Sequence, residues 1–295
     1  SAALMRLADE VWSHSPPLAG PVDLRATPAR LALLREYAER EGLALEVLVP
    51  DLQALIDAER AAIDEVLALD NAGWYQTFRP LAEVNARLDT LAGEFPTMAS
   101  VATVGASIQN RAIRALTISG PSVPGNAASD RPQVLLNATQ HAREWISTTT
   151  CLFIAEHLLR RYHTDPRVRT VMDRVQFIVV PVANPDGYEF TWTNDRYWRK
   201  NRRANAGGSF GVDLNRNWEL GWGGGGSSGT PSNDTYRGTA PWSEPETRAL
   251  RDLTVGNPRL RGAIDFHSYG QLILSPYGYT ATLPPDNPTF VTLNT

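Results

Sequence analysis

Gln140-His141-Ala142-Arg143-Glu144-Trp145 joins the apolar run Val134-Leu135-Leu136-Asn137-Ala138 to a helical pattern that begins near Ser147 and reaches Tyr162. That order is a strand feeding a helix, with a His-x-x-Glu pair at the joint. In an open α/β sheet, ligands gather beyond the carboxyl ends of the strands, so an imidazole and a carboxylate placed there can share one cation. A lone His-x-x-Glu is a weak signal. A second apolar run, Gly262-Ala263-Ile264-Asp265-Phe266, ends in His267 and supplies a third donor in the same setting. Two histidines and a glutamate leave the fourth zinc position open, which catalytic zinc requires and structural zinc does not.

The rest of the composition limits the alternatives. The 295 residues suggest about two domains. Hydrophobic residues make up 42% and charged ones 20%, enough for a sizeable core, and the net charge is only -4. No basic stripe points to nucleic acid, and no apolar run approaches the roughly 20 residues of a membrane span. The single cysteine, Cys151, lies on an apolar helical face and reads as a packed thiol, so no intrachain disulfide is possible. His14, His157 and His163 stand outside the motifs and suit surface or packing roles.

Residues 1-70 read as a small α+β unit. Strands are predicted at Asp9 to His14 and Pro21 to Arg25, then a helix from Thr27-Pro28 to Gly42. Leu43 to Val49 alternates as a strand, and Pro50-Asp51 opens a second helix carrying Leu52, Leu55, Ile56, Ile63, Val66 and Leu67 at helical spacing. In residues 71-295 a helix is predicted from Pro80 to Glu94, with strands at Ala99 to Val104, Ala112 to Ser119 and Val134 to Ala138. Val175 to Ala183 reads as a strand buried on both faces, ended by a turn at Asn184-Pro185-Asp186-Gly187-Tyr188. Asn194 to Glu244 shows little periodicity. A helix from Glu244 to Val255 leads to the strand before His267. Ile264 to Phe266 and Leu272 to Leu274 are apolar enough to lie in the sheet centre, yet the elements that should flank them are not in this sequence, so unpaired strand edges and uncovered apolar surface are expected.

Taken in order, His141, Arg143, Glu144 and Trp145, then Tyr197-Trp198-Arg199-Lys200-Asn201-Arg202, then Asp213-Leu214-Asn215-Arg216-Asn217-Trp218, then His267-Ser268-Tyr269 with Ser275-Pro276-Tyr277-Gly278-Tyr279 form an ordered set. The set resembles the zinc metallocarboxypeptidases of the pancreatic carboxypeptidase A/B type. The similarity runs from about Trp74 onward. A weaker one links the preceding residues, notably Val47-Leu48-Val49-Pro50-Asp51-Leu52-Gln53-Ala54-Leu55-Ile56-Asp57-Ala58-Glu59, to the family's ferredoxin-like pro-segment.

The resemblance implies an α/β catalytic domain in 71-295, with a mixed central sheet flanked by helices, after a pro-segment in 1-70. It implies one Zn2+ per chain, held by His141, Glu144 and His267. Asp213 becomes the carboxylate that orients a ligating imidazole, or else a helix cap. Asn215 and Arg216 match the clamp on the substrate's terminal carboxylate, and Arg199 matches the oxyanion arginine. Arg143, Arg196, Ser268 and Tyr269 match residues along the incoming peptide. Peptide or protein C-termini are the implied substrates, and the full-length protein is implied to be a secreted monomer. Arg60 is either a processing site or part of a solvated helix face. A cell-wall peptidase on the same scaffold and a non-catalytic binding module are the rival readings. The family's general-base glutamate lies well beyond its His-Ser-Tyr segment, so this sequence reads as truncated at its C-terminus and as inactive or very weak by itself. Ser1, with no initiator Met or signal-like segment after it, leaves any signal peptide outside the sequence.

Overall fold

The computed structural model describes residues 2–12, 21–68 and 73–294. The chain divides into two compact units, Ser1–Glu65 and Val66–Thr295. The boundary expected at 70/71 falls among residues outside the described set, as do Ser13 and His14 of the first expected strand.

In the first unit, α1 (Ala2–Leu7) is followed by an antiparallel pair, β1 (Glu10–Val11) and β2 (Leu24–Arg25). Helix α2 (Pro28–Glu41) starts with Pro28 in its first turn and ends at Gly42, whose left-handed φ of 66° closes the last turn. Thr27 holds the N-cap position without a side-chain cap bond; its backbone N–H donates instead to Asp9 Oδ2. Helix α3 (Leu52–Leu67) begins where Asp51 Oδ1 accepts the Ala54 N–H at 3.0 Å. The strand expected at Leu43–Val49 does not form, and Leu43, Leu45, Val47, Leu48 and Val49 are all exposed. Alternation gives a segment two faces, but a strand also needs a neighbour for its N–H and C=O groups.

The second unit is built on a five-stranded mixed sheet in the order β3-β4-β6-β5-β7. A short 3₁₀ turn at Trp74–Gln76 and α4 (Leu81–Glu94) precede β3 (Ala99–Ala106) and β4 (Ala112–Ile118). Then come β5 (Gln133–Ala138), α5 (Trp145–Arg161), α6 (Pro166–Met172), β6 (Gln176–Val180), α7 (Pro185–Thr193), α8 (Pro245–Thr254), β7 (Leu260–Phe266) and α9 (Asn287–Leu293). On one face Ile113, Ala115, Leu135, Ile178 and Val180 pack with Ala249 and Leu250 of α8. Leu116, Ile118, Leu136 and Val179 alternate with them, point the other way and are just as buried. Helix α5 lies against β5 and β6, burying Leu152, Ala155, Leu159 and the Cys151 thiol, which burial pushes up in pKa. Each such side chain contributes about 1.5–3 kcal/mol of transfer free energy. Gly105 lets α8 come close to β3: a Cβ there would stand 2.5 Å from that of Ala249.

One expectation fails here. Asn184-Pro185 opens a helix rather than a turn, because the Asn184 side chain accepts the Gly187 N–H at 3.0 Å and Pro185 sits in the first turn. Leu272, Ile273 and Leu274 are 72%, 73% and 81% exposed and belong to no strand, and Ile264 lies on the edge strand, in agreement with the uncovered apolar surface and unpaired edge expected at these residues. An apolar run alone does not say whether another strand will pair with it. What positions the site is the pairing of β5 with β7. These strands are parallel, with Asn137 opposite Asp265 and Ala138 opposite Phe266, so their carboxyl ends finish side by side. The segments carrying His141, Glu144 and His267 leave the sheet from that point.

Candidate metal centre

After Ala138 the chain turns at Thr139, which has a φ of 60°, a conformation a β-branched residue rarely adopts. Its hydroxyl anchors the turn by accepting from or donating to Thr148 Oγ1 at 2.5 Å and donating to the Pro181 carbonyl at 3.1 Å. The turn is also fastened from below. The Ala142 N–H donates to the Arg199 carbonyl at 2.9 Å, and Asn184 Nδ2 donates to the carbonyls of Gln140 and Lys200 at 3.1 Å each. Gly187 sits against this junction, where a Cβ would fall 2.6 Å from Asn184 Nδ2, 2.6 Å from the Lys200 carbonyl and 2.8 Å from the Ala142 Cβ.

His141, Glu144 and His267 converge, each offering one donor atom within 4.8 Å of the others. Glu144 stands between the rings: Oε1 is 2.8 Å from His141 Nδ1, and Oε2 is 2.8 Å from His267 Nδ1 and accepts the Ser268 N–H at 3.1 Å. His141 and Glu144 are buried, and the His267 side chain is 25% exposed. Two imidazoles and a carboxylate directed at one point, one side of it open, fit the donor chemistry of zinc with room for a further ligand. Residues 84–295 match the zinc carboxypeptidase family, and residues 3–59 match the carboxypeptidase activation peptide. The chain belongs to the zinc carboxypeptidase family.

Mouse carboxypeptidase A4 is 34% identical over 279 residues, covering 94% of this chain and 65% of the mouse protein. Rat carboxypeptidase A2 is 34% identical over 281 residues, covering 94% of this chain and 66% of that protein. The chain thus spans slightly less than two thirds of these relatives. Carboxypeptidase A from Helicoverpa armigera superposes with a TM-score of 0.86 at 30% identity, covering 96% of this chain and 69% of that one. Zinc is the metal of the family, and the cluster of His141, Glu144 and His267 is able to hold it.

Around this centre the charges interlock. Asp213 is fully buried, with Oδ1 at 3.1 Å from His141 Nε2, while Oδ2 accepts Arg199 Nε at 3.2 Å and Nη2 at 2.9 Å. It also caps the 3₁₀ turn Leu214–Arg216 by accepting the Asn215 N–H. Burial alone would raise the pKa of Asp213, but Arg199 and His141 outweigh it and hold the carboxyl well below its ordinary range. The same contest runs in Glu144, where His141 and His267 overcome burial and the carboxyl is depressed. Burial would lower His267, yet Asp265 and Glu144 carry it up to about 10 in the metal-free protein. Arg199 is raised against burial by Asp213 and Glu144.

The remaining sequence-derived residues fall into separate groups. Asn215 Nδ2 lies 3.5 Å from His267 Nε2, and Arg216 donates to the carbonyls of Gly226 and Asn215 at 2.9 and 3.0 Å. Arg143 and Arg196 are tied to each other's surroundings rather than to the histidines. Arg143 Nη1 donates to the Tyr197 carbonyl at 3.2 Å, Arg196 Nη1 donates to the Arg143 carbonyl at 2.9 Å, and the Arg196 guanidinium lies 3.6 Å from the Trp145 ring centre. Tyr269 is 55% exposed. The residues that sequence reasoning missed are Asp265, with Oδ2 at 2.7 Å from His267 Nε2, and Gln140, whose amide donates to that same oxygen. The missed signal was the Asp-x-His spacing on a strand, which puts both side chains on one face.

Proposed function

We propose that the protein containing this span hydrolyses C-terminal peptide bonds and releases one amino acid per turnover, with zinc on His141, Glu144 and His267. The observation that carries this is the convergence of those three donors at the ends of adjacent parallel strands. Zinc held there supplies Lewis acidity toward a carbonyl oxygen and lowers the pKa of water. The chain's own side chains do the rest. Arg199 holds a fixed positive charge beside the centre through its pairing with Asp213, as a group stabilising a developing oxyanion must. Asn215 and Arg216 grip the substrate's free carboxylate, a role supported by the nearness of Asn215 to His267 and by the planar guanidinium fork. Arg143, Arg196, Ser268 and Tyr269 line the path of the peptide.

General-base duty falls to neither Glu244 nor Glu246. Glu244 accepts from Asn201 and Arg203, and Glu246 accepts from Asn201 and the Ile108 N–H. Turnover by residues 1-295 alone should therefore be lower by about 10²- to 10⁴-fold than that of the protein carried through its downstream sequence. Residues 3–59 act as a restraining pro-segment in a secreted precursor; their removal should raise the rate on a small substrate, and equal rates would refute the restraint. For the reaction itself, the test is release of the terminal residue from paired peptides with free and amidated C-termini. The full-length, zinc-loaded protein should prefer the free acid, and Arg216→Ala should raise KM and lower kcat for it. Equal cleavage of the amidated peptides would overturn the clamp and favour a peptidase of cell-wall type.

A further inference from the structure

Both histidines of the centre present Nδ1 to Glu144 and Nε2 to a carboxylate, but the two carboxylates are held by different means. Asp213 is fully buried and ion-paired with Arg199. Asp265 has a 28% exposed side chain and is surrounded by amides. Its Oδ1 accepts Asn137 Nδ2 at 2.5 Å, across the β5–β7 pairing in which these two residues are direct partners. Its Oδ2 accepts the Gln140 amide and faces His267 Nε2 at 2.7 Å. Gln140 is fixed in turn, since its Oε1 accepts Trp218 Nε1 at 3.0 Å and its carbonyl accepts Asn184 Nδ2. Among the described residues, the other hydrogen-bonding group facing His267 Nε2 is Asn215 Nδ2, at 3.5 Å, too long a contact to set the ring.

We propose that Asp265, clamped by Asn137 and the Gln140–Trp218 pair, is the positioning residue for His267. It accepts the Nε2–H, so the Nδ1 lone pair is left for the metal, and it fixes the rotation of a ring that stands at the exposed side of the centre. This rests on the zinc reading of the site. The role is electrostatic and directional. Ala at 265 leaves the ring free to rotate, whereas Asn can turn its NH₂ toward Nε2 and push the ring proton onto Nδ1, where it blocks coordination.

The test uses the full chain and its variants Asp265→Ala, Asp265→Asn, Gln140→Ala and His267→Ala. Zinc dissociation constants are measured by competition with a chromophoric chelator, and the visible spectrum of the Co2+ forms is recorded. Melting of the metal-free forms separates loss of folding from loss of ligand geometry. Asp265→Ala and Asp265→Asn should weaken zinc about 10- to 100-fold. Their Co2+ spectra should change, and the metal-free melting of Asp265→Asn, which keeps an acceptor for the Asn137 and Gln140 amides, should stay near that of the parent. Gln140→Ala should give a smaller loss in the same direction. If His267→Ala loses zinc but both Asp265 variants bind it within about twofold of the parent, the positioning role is wrong and the ligand set stands. If the folded parent takes up no zinc, the ligand set falls and the proposal with it.

Discussion

Strands β5 and β7 run parallel and deliver the metal-facing residues to one place, yet their surroundings differ sharply. In β5 nearly every residue is buried, and the strand lies between β6 and β7 with α5 packed on it. In β7 most residues are exposed, and the strand forms one edge of the sheet. Behind His141 stands a buried carboxylate neutralised by arginine; behind His267 stands a half-open carboxylate held by amides. One arm of the centre is thus set by the core and the other by a local polar network, so the same substitution should cost different things on the two sides.

The largest expected contrast is between the outer carboxylates. Asp213→Ala leaves Arg199 buried without its partner and should destabilise the metal-free protein by about 3–5 kcal/mol, whereas Asp265→Ala, which leaves only the neutral amides of Asn137 and Gln140 unpaired, should cost about 1–3 kcal/mol. Urea unfolding of both variants checks this, and similar losses would erase the distinction between the arms. Next come the strands themselves. Leu135→Ala on β5 should cost about 2–5 kcal/mol, while Ile264→Ala on β7, where the side chain is 51% exposed, should cost under about 1 kcal/mol.

A third prediction concerns pH on the buried side. Burial pushes the Glu246 carboxyl at the start of α8 up to about 7, with neighbouring Glu244 adding to the rise against bonds from Ile108 and Asn201. A carboxyl raised in the folded state favours folding while it is protonated. That contribution is present below the ordinary glutamate pKa and lost as pH rises toward about 7, an effect on the order of 3 kcal/mol at most. Glu246→Gln should flatten the decline across that window and leave the protein more stable than the parent at pH 8; an unchanged slope would place the titration elsewhere. The smallest expected effect joins the arms. Zinc at 100 times its dissociation constant should stabilise the folded chain by about 2.7 kcal/mol, and His267→Ala should abolish that gain; a zinc-dependent shift that survives in the variant would take His267 out of the ligand set.

The ligand set was legible because His141, Glu144 and His267 each follow an apolar run, and the fold places strand ends where such runs predict. Asp265 was hidden in plain view: as part of an apolar run it read as a strand residue, and only the pairing with Asn137 shows what its side chain faces. Asn184-Pro185 carried helix-start chemistry and turn chemistry in the same letters, and the capping bond to Gly187 decided between them. Leu43–Val49 failed because periodicity describes a segment while strand formation depends on a partner elsewhere in the chain. The long irregular stretch from Asn194 to Glu244 gave no element to predict, yet it contributes Arg199 and Asp213, whose meeting is a tertiary fact.

Gly187 shows how far such a fact can reach. It belongs to α7, carries no chemistry and touches no histidine, but the space a methyl group would need is already taken by the turn that holds His141 and by the segment after Arg199. In a library of random variants, position 187 should therefore score as a metal-binding position: alanine there would register as lost zinc while α7 itself kept its helical signal. The lesion and its symptom would sit in different elements, and a map of sensitive positions drawn without the structure would assign the glycine a ligand's importance.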